Sequence, residues 1–412
     1  MNTIIIGMGP AGMEAARTLR EQGYAGEITM FSAEKIPPYS PPVLGEYLLT
    51  GNEHALFQQG RDICTRYQIN CHLGERILSI DPAKKTITSE LGSYPFDKAV
   101  IASGSSLYAP LLGIEKKGIC NFKTLEGTRQ IRALAEKKPG STVLIIGGGF
   151  IGVEIALCLA KIGLRPTLLN RRGWIMPRLL DQETADYVLK DLKDIGVDVR
   201  LNTEGKECVG GENIEGVRTS KGEILRADLY IAATGVKPNI AFLEQSDIAH
   251  GWGITVNEYL QATHPFIYAC GDVAETRDLV TGNTKIHGLY PVAIAHGRTA
   301  AMNIMGAGIR YEQQLNMNSL KELRRNVIVV GRQTNTVLKR KDKQNLRKIY
   351  LDNDKIAGFV LVGNISGAGT YLAMMRKGTD VSLFGKRLLS RHFHTALAMT
   401  RMVHISRHAA AR

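Results

Sequence analysis

The chain has 412 residues, 44% hydrophobic and 22% charged, with a formal net charge of +13. That length buries a large core and suits two or three domains. The composition excludes a disordered or collagen-like chain, and no apolar run is long enough to span a bilayer.

Residues Thr3 to Ile6 read as a strand that begins almost at Met1, leaving no room for a signal peptide, so the expected compartment is the cytoplasm. The turn G-M-G-P-A-G follows, with Gly7, Gly9, Pro10, Ala11 and Gly12. It opens a helix and leads to a second strand, Ile28–Phe31. In this β-α-β pattern the first glycine permits the tight turn, the second lets the backbone approach a pyrophosphate, and the third lets helix pack on strand. Glu34, 22 residues after Gly12, is placed to accept from adenosine ribose hydroxyls; the alternative is an exposed loop acid.

Residues Ile36 to Leu48 carry four prolines and read as a rigid, non-helical crossing without a cysteine. A thiol nucleophile is therefore missing where disulfide- or peroxide-reducing chemistry would need one. Short β segments follow up to Phe96, and Lys98–Gly104 reads as a strand ending in Ala102-Ser103-Gly104. Pro110 to Gly113 looks like a link out of the first domain.

The second glycine turn lies in Thr142–Arg172, at Gly147, Gly149 and Gly152, with Phe150 and Ile151 opening its helix. Two such turns predict two nucleotide cofactors, one tightly held flavin and one exchanging nicotinamide, unless one copy is a relic. The second strand of this unit ends at Asn170, 18 residues after Gly152, followed at once by Arg171 and Arg172. The carboxylate that would repel a 2′-phosphate is absent and two guanidinium groups stand in its place, which favours NADP(H) over NAD(H). The alternative is that both arginines face solvent and either nucleotide is accepted. A helix is expected over about Asp181–Leu192, and the segment Asp228–Asn239 repeats the earlier ending, with Gly235 in the small-residue turn. Matching openings and endings suggest an internal duplication.

His264–Glu275 reads as a strand ending in Gly271-Asp272. Tyr290-Pro291 lead into a helix to Met305 whose N-terminal dipole suits an anionic ring. Beyond Arg310, strands are expected at Val327–Val330, Lys348–Leu351 and Ala357–Val362, with a helix at Gly369–Lys377 and a basic helix over Phe384–Arg412. The six cysteines form no C-x-x-C pair, so no metal is expected, and most read as buried small apolar residues, Cys158 and Cys270 among them. Between Lys321 and Lys348 there are ten basic and two acidic residues. With no nucleic-acid motif present, this points to an acidic protein partner or to a solvated basic face.

In order, G-x-G-P-A-G, A-S-G, G-G-G-F-I-G-V-E, A-T-G-V-K-P-N and Y-A-C-G-D-V-A-E resemble the FAD-dependent pyridine nucleotide oxidoreductases. Within these the chain is most similar to the NAD(P)H:rubredoxin and ferredoxin reductases and the flavoprotein part of nitrite reductases, over roughly Met1 to Val381. The resemblance implies an α/β fold with two Rossmann-type domains, the second inserted in the first, and a small C-terminal α+β interface domain. The expected segments are 1–113 and 238–309 for FAD, 114–237 for NAD(P), and 310–412 for the interface. It implies Asp272 on the ribityl chain of FAD, with Gly7, Gly9, Gly12, Glu34, Ser103 and Gly104 around the rest, and Glu154 on the nicotinamide amide. The family's lysine after the tyrosine is replaced by Glu46, and its cysteine position by Pro42. The implied function is hydride transfer between nicotinamide and flavin, coupled to a small acidic ferredoxin-like or rubredoxin-like protein, in a chain without a membrane span that could form a homodimer. A thiol-free oxidase and a non-enzymatic redox-sensing flavoprotein remain the rivals.

Overall fold

The structure, a computed structural model, describes residues 1–279, 281–391 and 393. It divides into two compact units. The first comprises Met1–Ser141, Lys206–Val217 and Arg226–Gln314; the second comprises Thr142–Gly205, Arg218–Leu225 and the described residues from Leu315 onward.

The first unit is built on a parallel five-stranded sheet. Its spatial order is Ile267–Ala269, Lys98–Ile101, Asn2–Ile6, Glu27–Ser32, Asn70–Leu73. The central strands are continuous apolar runs because both faces are covered: Ile4, Ile5, Val100, Ile101, Met30 and Phe31 are all buried. The first glycine helix, Pro10–Glu21, lays Ala11, Ala15 and Leu19 against this sheet and against the helix Tyr290–Ile304. The two helices approach so closely that a Cβ at Gly297 would strike the carbonyl of Ala11. A three-stranded antiparallel meander, Ile77–Asp81, Thr86–Ser89 and Ser93–Pro95, forms a second sheet in the same unit.

The prolines after Glu34 do not keep the crossing non-helical. Pro41–Val43 form a 3-10 turn and Leu44–Thr50 an α-helix. Proline is excluded from a helix interior but fits its opening turn, where its missing N–H has no partner to lose. Leu44 and Tyr47 then pack on Leu56 and Leu125.

In the second unit Thr142–Ile146, Arg165–Asn170 and Asp198–Leu201 run parallel, with the second glycine helix over Phe150–Lys161 and a further helix over Gln182–Asp194. Its C-terminal part is an antiparallel sheet ordered Met317–Leu320, Val327–Gly331, Lys355–Val362, Leu346–Asp352, Thr336–Lys341, followed by the helix Ala368–Lys377. Of the expected basic tail helix, a 3-10 turn at Gly385–Leu389 is described; residues 392 and 394–412 lie outside the described residues. Among the described residues no helix is long and apolar enough to cross a membrane.

Much of the late basic run is committed within its own unit. Arg325 is paired with Asp191 in a buried contact. Lys348 reaches Asp181 at 2.6 Å and Glu183 at 2.8 Å, and Lys339 and Lys341 also reach Glu183, at 3.1 and 2.9 Å. These cations, led by Lys348, hold the Glu183 carboxyl down to about 2. Arg332 pairs with Asp352, and the buried Arg347 is spent on Tyr371 and the carbonyls of Ser366, Ser390 and Asn364. Lys321, Arg324, Arg340 and Lys343 stay exposed with no ion pair among the described residues. The expectation of a broad basic face is thereby narrowed to these four positions of the ten.

The cysteines divide. Cys158, Cys208 and Cys270 are buried and Cys120 half-buried. Cys64 and Cys71 are instead joined in a disulfide, a pairing that the cysteine spacing does not indicate.

Candidate nucleotide sites

Both glycine turns have the same shape. Gly7 and Gly147 sit at φ +111° and +119°, a region open to glycine. A Cβ at Gly12 would fall on the carbonyl oxygen of Gly7, and one at Gly152 on that of Gly147. Gly9 and Gly149 are the reverse case: nothing lies within 4 Å of where their Cβ would be. Each turn therefore closes tightly beneath a backbone that is open above, at the N-terminus of a helix. That is the shape a pyrophosphate needs, with free N–H groups and the positive dipole end directed at it. Pro10 and Phe150 are half-buried and Ala11 is buried, whereas Ile151 stays exposed beside its turn.

In the first unit, a Cβ at Gly7 would collide with the carbonyl of Ala102, so the A-S-G strand ending packs directly on the glycine turn. The Ser103 hydroxyl donates to the Asn239 carbonyl at 2.7 Å, the Asn239 amide donates back to the Ser103 carbonyl at 2.9 Å, and the Asn239 N–H bonds the carbonyl of Gly104. This fixes Ser105, whose hydroxyl donates to Asp272 at 2.6 Å. Lys123 also reaches Asp272, at 3.1 Å, and its charge acts on Glu34 as well. Burial pushes the Glu34 carboxyl up, offset by the Tyr39 hydroxyl donating to it at 3.1 Å and by Lys123. Gly271 donates its N–H to Nδ1 of His296 at 3.1 Å, and burial pushes that imidazole down to about 3, keeping it neutral. Tyr290 and Pro291 are exposed at the N-terminus of their helix. Gly7, Ser103, Gly104, Glu34, Asp272 and Lys123 thus belong to one connected set of contacts.

Sequence reasoning missed Lys123 and Ser105. Ser105 directly follows the A-S-G ending, which was signal enough. Lys123 has no motif; it meets Asp272 across 149 positions.

In the second unit, Asn170 is buried and donates both amide hydrogens to its own loop, to the carbonyls of Arg172 and Trp174 at 2.8 Å each. A Cβ at Gly148 would meet the Asn170 side chain. Asn170 therefore shapes the loop that carries Arg171 and Arg172, both exposed. Gly235 lies in the first unit, where its carbonyl accepts from Tyr108 at 2.9 Å.

The two copies differ at one matched position. Glu14 and Glu154 each stand two residues past the third glycine. Glu14 is buried and neutralised by Arg17 at 2.6 Å and Arg298 at 2.8 Å, a clip between helices. Among the described residues no arginine pairs with Glu154: burial, then the charge of Glu322, push its carboxyl up, while Glu322 itself pairs with Lys161. A half-buried carboxyl with a raised pKa beside an open glycine turn can engage a ligand amide in a way that Glu14 cannot.

Residues 1–297 match the family described as pyridine nucleotide-disulphide oxidoreductase, and the chain belongs to this family. The family implies FAD and a nicotinamide nucleotide. Terpredoxin reductase from Pseudomonas sp. is 32% identical over 275 residues, 66% of either chain. The nitrite reductase [NAD(P)H] of Bacillus subtilis is 27% identical over 92% of this chain, which spans 48% of that relative's length. The NADH:rubredoxin oxidoreductase of Clostridium acetobutylicum superposes with a TM-score of 0.77 at 25% identity, covering 92% of this chain and 96% of that one.

Proposed function

We propose that the chain is an FAD-dependent NAD(P)H oxidoreductase that exchanges electrons with a small iron–sulfur or rubredoxin-type protein. The observation that carries this is the doubled cradle, two glycine turns of one shape with open space above each, one per unit. The relatives named as reductases of terpredoxin and of rubredoxin support the choice of acceptor. When bound, FAD supplies a centre that takes a hydride at N5 from the nicotinamide and exchanges electrons singly with the partner.

The residues have separate duties. Gly7, Gly9 and Gly12 hold the FAD pyrophosphate, and Glu34 binds the adenosine ribose. Asp272 binds the ribityl chain and is itself oriented by Ser105 and Lys123. Gly147, Gly149 and Gly152 hold the second pyrophosphate, and Glu154 takes the nicotinamide amide. The functional segments are 1–113 and 238–309 for FAD, 114–237 for NAD(P), and 310–412 for the interface. No cysteine stands in the segment after Tyr39, so the route needs no thiol. The test is anaerobic mixing of the FAD-loaded chain with NADPH or NADH. Fast bleaching of the flavin, slow reoxidation by air, and transfer to a ferredoxin or rubredoxin that weakens with ionic strength are expected. Reoxidation by air as fast as by the partner would make the protein an oxidase, and no bleaching by either nucleotide would make it a non-enzymatic flavoprotein.

NADPH is the preferred nucleotide in this reading, through Arg171 and Arg172. Replacing both by Ala should cost NADPH use about 2–4 kcal/mol in kcat/KM, mainly through KM, and leave NADH use nearly unchanged. Steady-state kinetics with both nucleotides decide it: equal losses would remove these arginines from the 2′-phosphate.

A further inference from the structure

Cys64 and Cys71 lie outside both glycine turns, and the proposed chemistry does not use them. We propose that they form a reversible thiol–disulfide site that sets how tightly the first unit holds the adenosine half of FAD. The proposal rests on the reading of that unit as the FAD-binding one.

The bond joins the helical turn Ile63–Arg66 to the strand Asn70–Leu73. That strand is the edge of the parallel sheet and has one neighbour, Glu27–Ser32, with Cys71 opposite Met30 and Leu73 opposite Ser32. Just beyond it, the N–H of Gly74 donates to the carbonyl of Glu34 at 2.9 Å, and that of Glu75 to the carbonyl of Ser32 at 2.8 Å. Two residues, His72 and Leu73, therefore separate the disulfide from the hydrogen bond that fixes the backbone of the ribose-binding carboxylate. The connecting loop is also tethered by Arg20, which donates to the carbonyls of Tyr67 and Gln68 at 3.0 and 2.9 Å, and by the Tyr67 hydroxyl, which donates to Glu21 at 3.2 Å. With the bond closed the edge strand is held covalently where it begins; with it open, its entry depends on the one-sided ladder and on the contacts of Arg20 and Tyr67.

Both cysteines are half-buried, within reach of a small thiol, the situation in which a disulfide is exchangeable rather than permanent. The remaining cysteines do not compete. Burial pushes up the thiols of all four, Cys120, Cys158, Cys208 and Cys270, Cys158 to about 12, and so disfavours their thiolates. In the opening step an external thiolate attacks one sulfur and forms a mixed disulfide, and the departing cysteine thiolate takes a proton. A second external thiol then releases the other cysteine. Two thiols are oxidised to one small disulfide while the protein disulfide is reduced to two thiols. A low-molecular-weight disulfide such as oxidised glutathione runs the exchange backwards.

The test uses the full chain. Thiol titration in denaturant should count four thiols after treatment with oxidised glutathione and six after dithiothreitol. FAD titration of the apoprotein should give an affinity on the order of tenfold lower for the reduced form, because the bond restricts only the open ensemble. Cys64→Ser with Cys71→Ser should match the reduced form in both oxidised and reduced buffer, and re-oxidation should restore wild type alone. Should the double variant not fold, the reversible change in wild type still decides. Six thiols after oxidation, or equal FAD affinity in both states, overturns the proposal alone. A chain that binds FAD in neither state overturns it together with the reading of the first unit.

Discussion

Asp191→Ala should destabilise the second unit by about 3–5 kcal/mol, the cost of stranding a buried charge. Asp191 is 2% exposed and Arg325 7%. The guanidinium Nε meets both carboxylate oxygens, at 3.0 and 3.1 Å, Nη2 donates to one of them, and the Arg325 backbone N–H adds a fourth contact at 3.2 Å. Arg325 also donates to the carbonyl of Tyr187 at 2.9 Å and lies over that ring, 5.0 Å from its centroid. Removing the carboxylate leaves the arginine in place, buried and unopposed. Replacing both partners by apolar residues of similar volume should recover most of the loss, since the desolvation cost disappears with the pair. The two tryptophans make this measurable: Trp174 lies in the second unit and Trp252 in the first. In a Trp252→Phe background, urea unfolding followed by Trp174 fluorescence reports the second unit. A shift below 1 kcal/mol would show that the pair is solvated in solution.

Asp272→Ala should strip most of the FAD from a chain that stays folded. The carboxylate is held by Ser105 and Lys123, so its orientation is set before a ligand arrives. Losing one charge-assisted hydrogen bond, worth about 1.5–3 kcal/mol, weakens FAD binding by roughly 10- to 150-fold. Flavin absorbance after gel filtration, with FAD titration of the apoprotein and circular dichroism as a folding control, reads the effect. Unchanged FAD affinity would detach Asp272 from the site.

The parts of the site readable in the sequence are those with a local steric cause. Gly7, Gly12 and Gly152 stand where a side chain would meet backbone within a few residues or in an adjoining strand, and Gly147 at a φ of +119° that side chains rarely adopt, so spacing alone exposes them. The helix Leu44–Thr50 was misread because proline was weighed as a breaker without regard to its place in the first turn. Lys123 was invisible because its partner is brought to it by the fold. The Cys64–Cys71 bond follows no spacing rule. The basic run showed its charge but not its counter-charges, since Asp181, Glu183 and Asp191 sit on or beside a helix more than a hundred positions earlier. Glu14 and Glu154 are equivalent in the sequence; the arginines around the first and the charge of Glu322 near the second tell them apart.

The pairing of the C-terminal sheet with the acidic helix also changes how the molecule is felt from a distance. A cation with a carboxylate a few ångströms away is a dipole, and its potential fades faster than that of a lone charge. Beyond a screening length of about 8 Å, the stitched middle of the sheet is felt less than its number of cations suggests. Within the run Lys321–Lys348, the exposed cations with no ion pair among the described residues are Lys321 and Arg324, in the loop at one edge of the sheet, and Arg340 and Lys343, at the hairpin on the opposite edge. A protein of pI about 9.4 therefore offers an approaching acidic surface two separated poles here, which select for orientation where a uniform coat of charge would select only for sign.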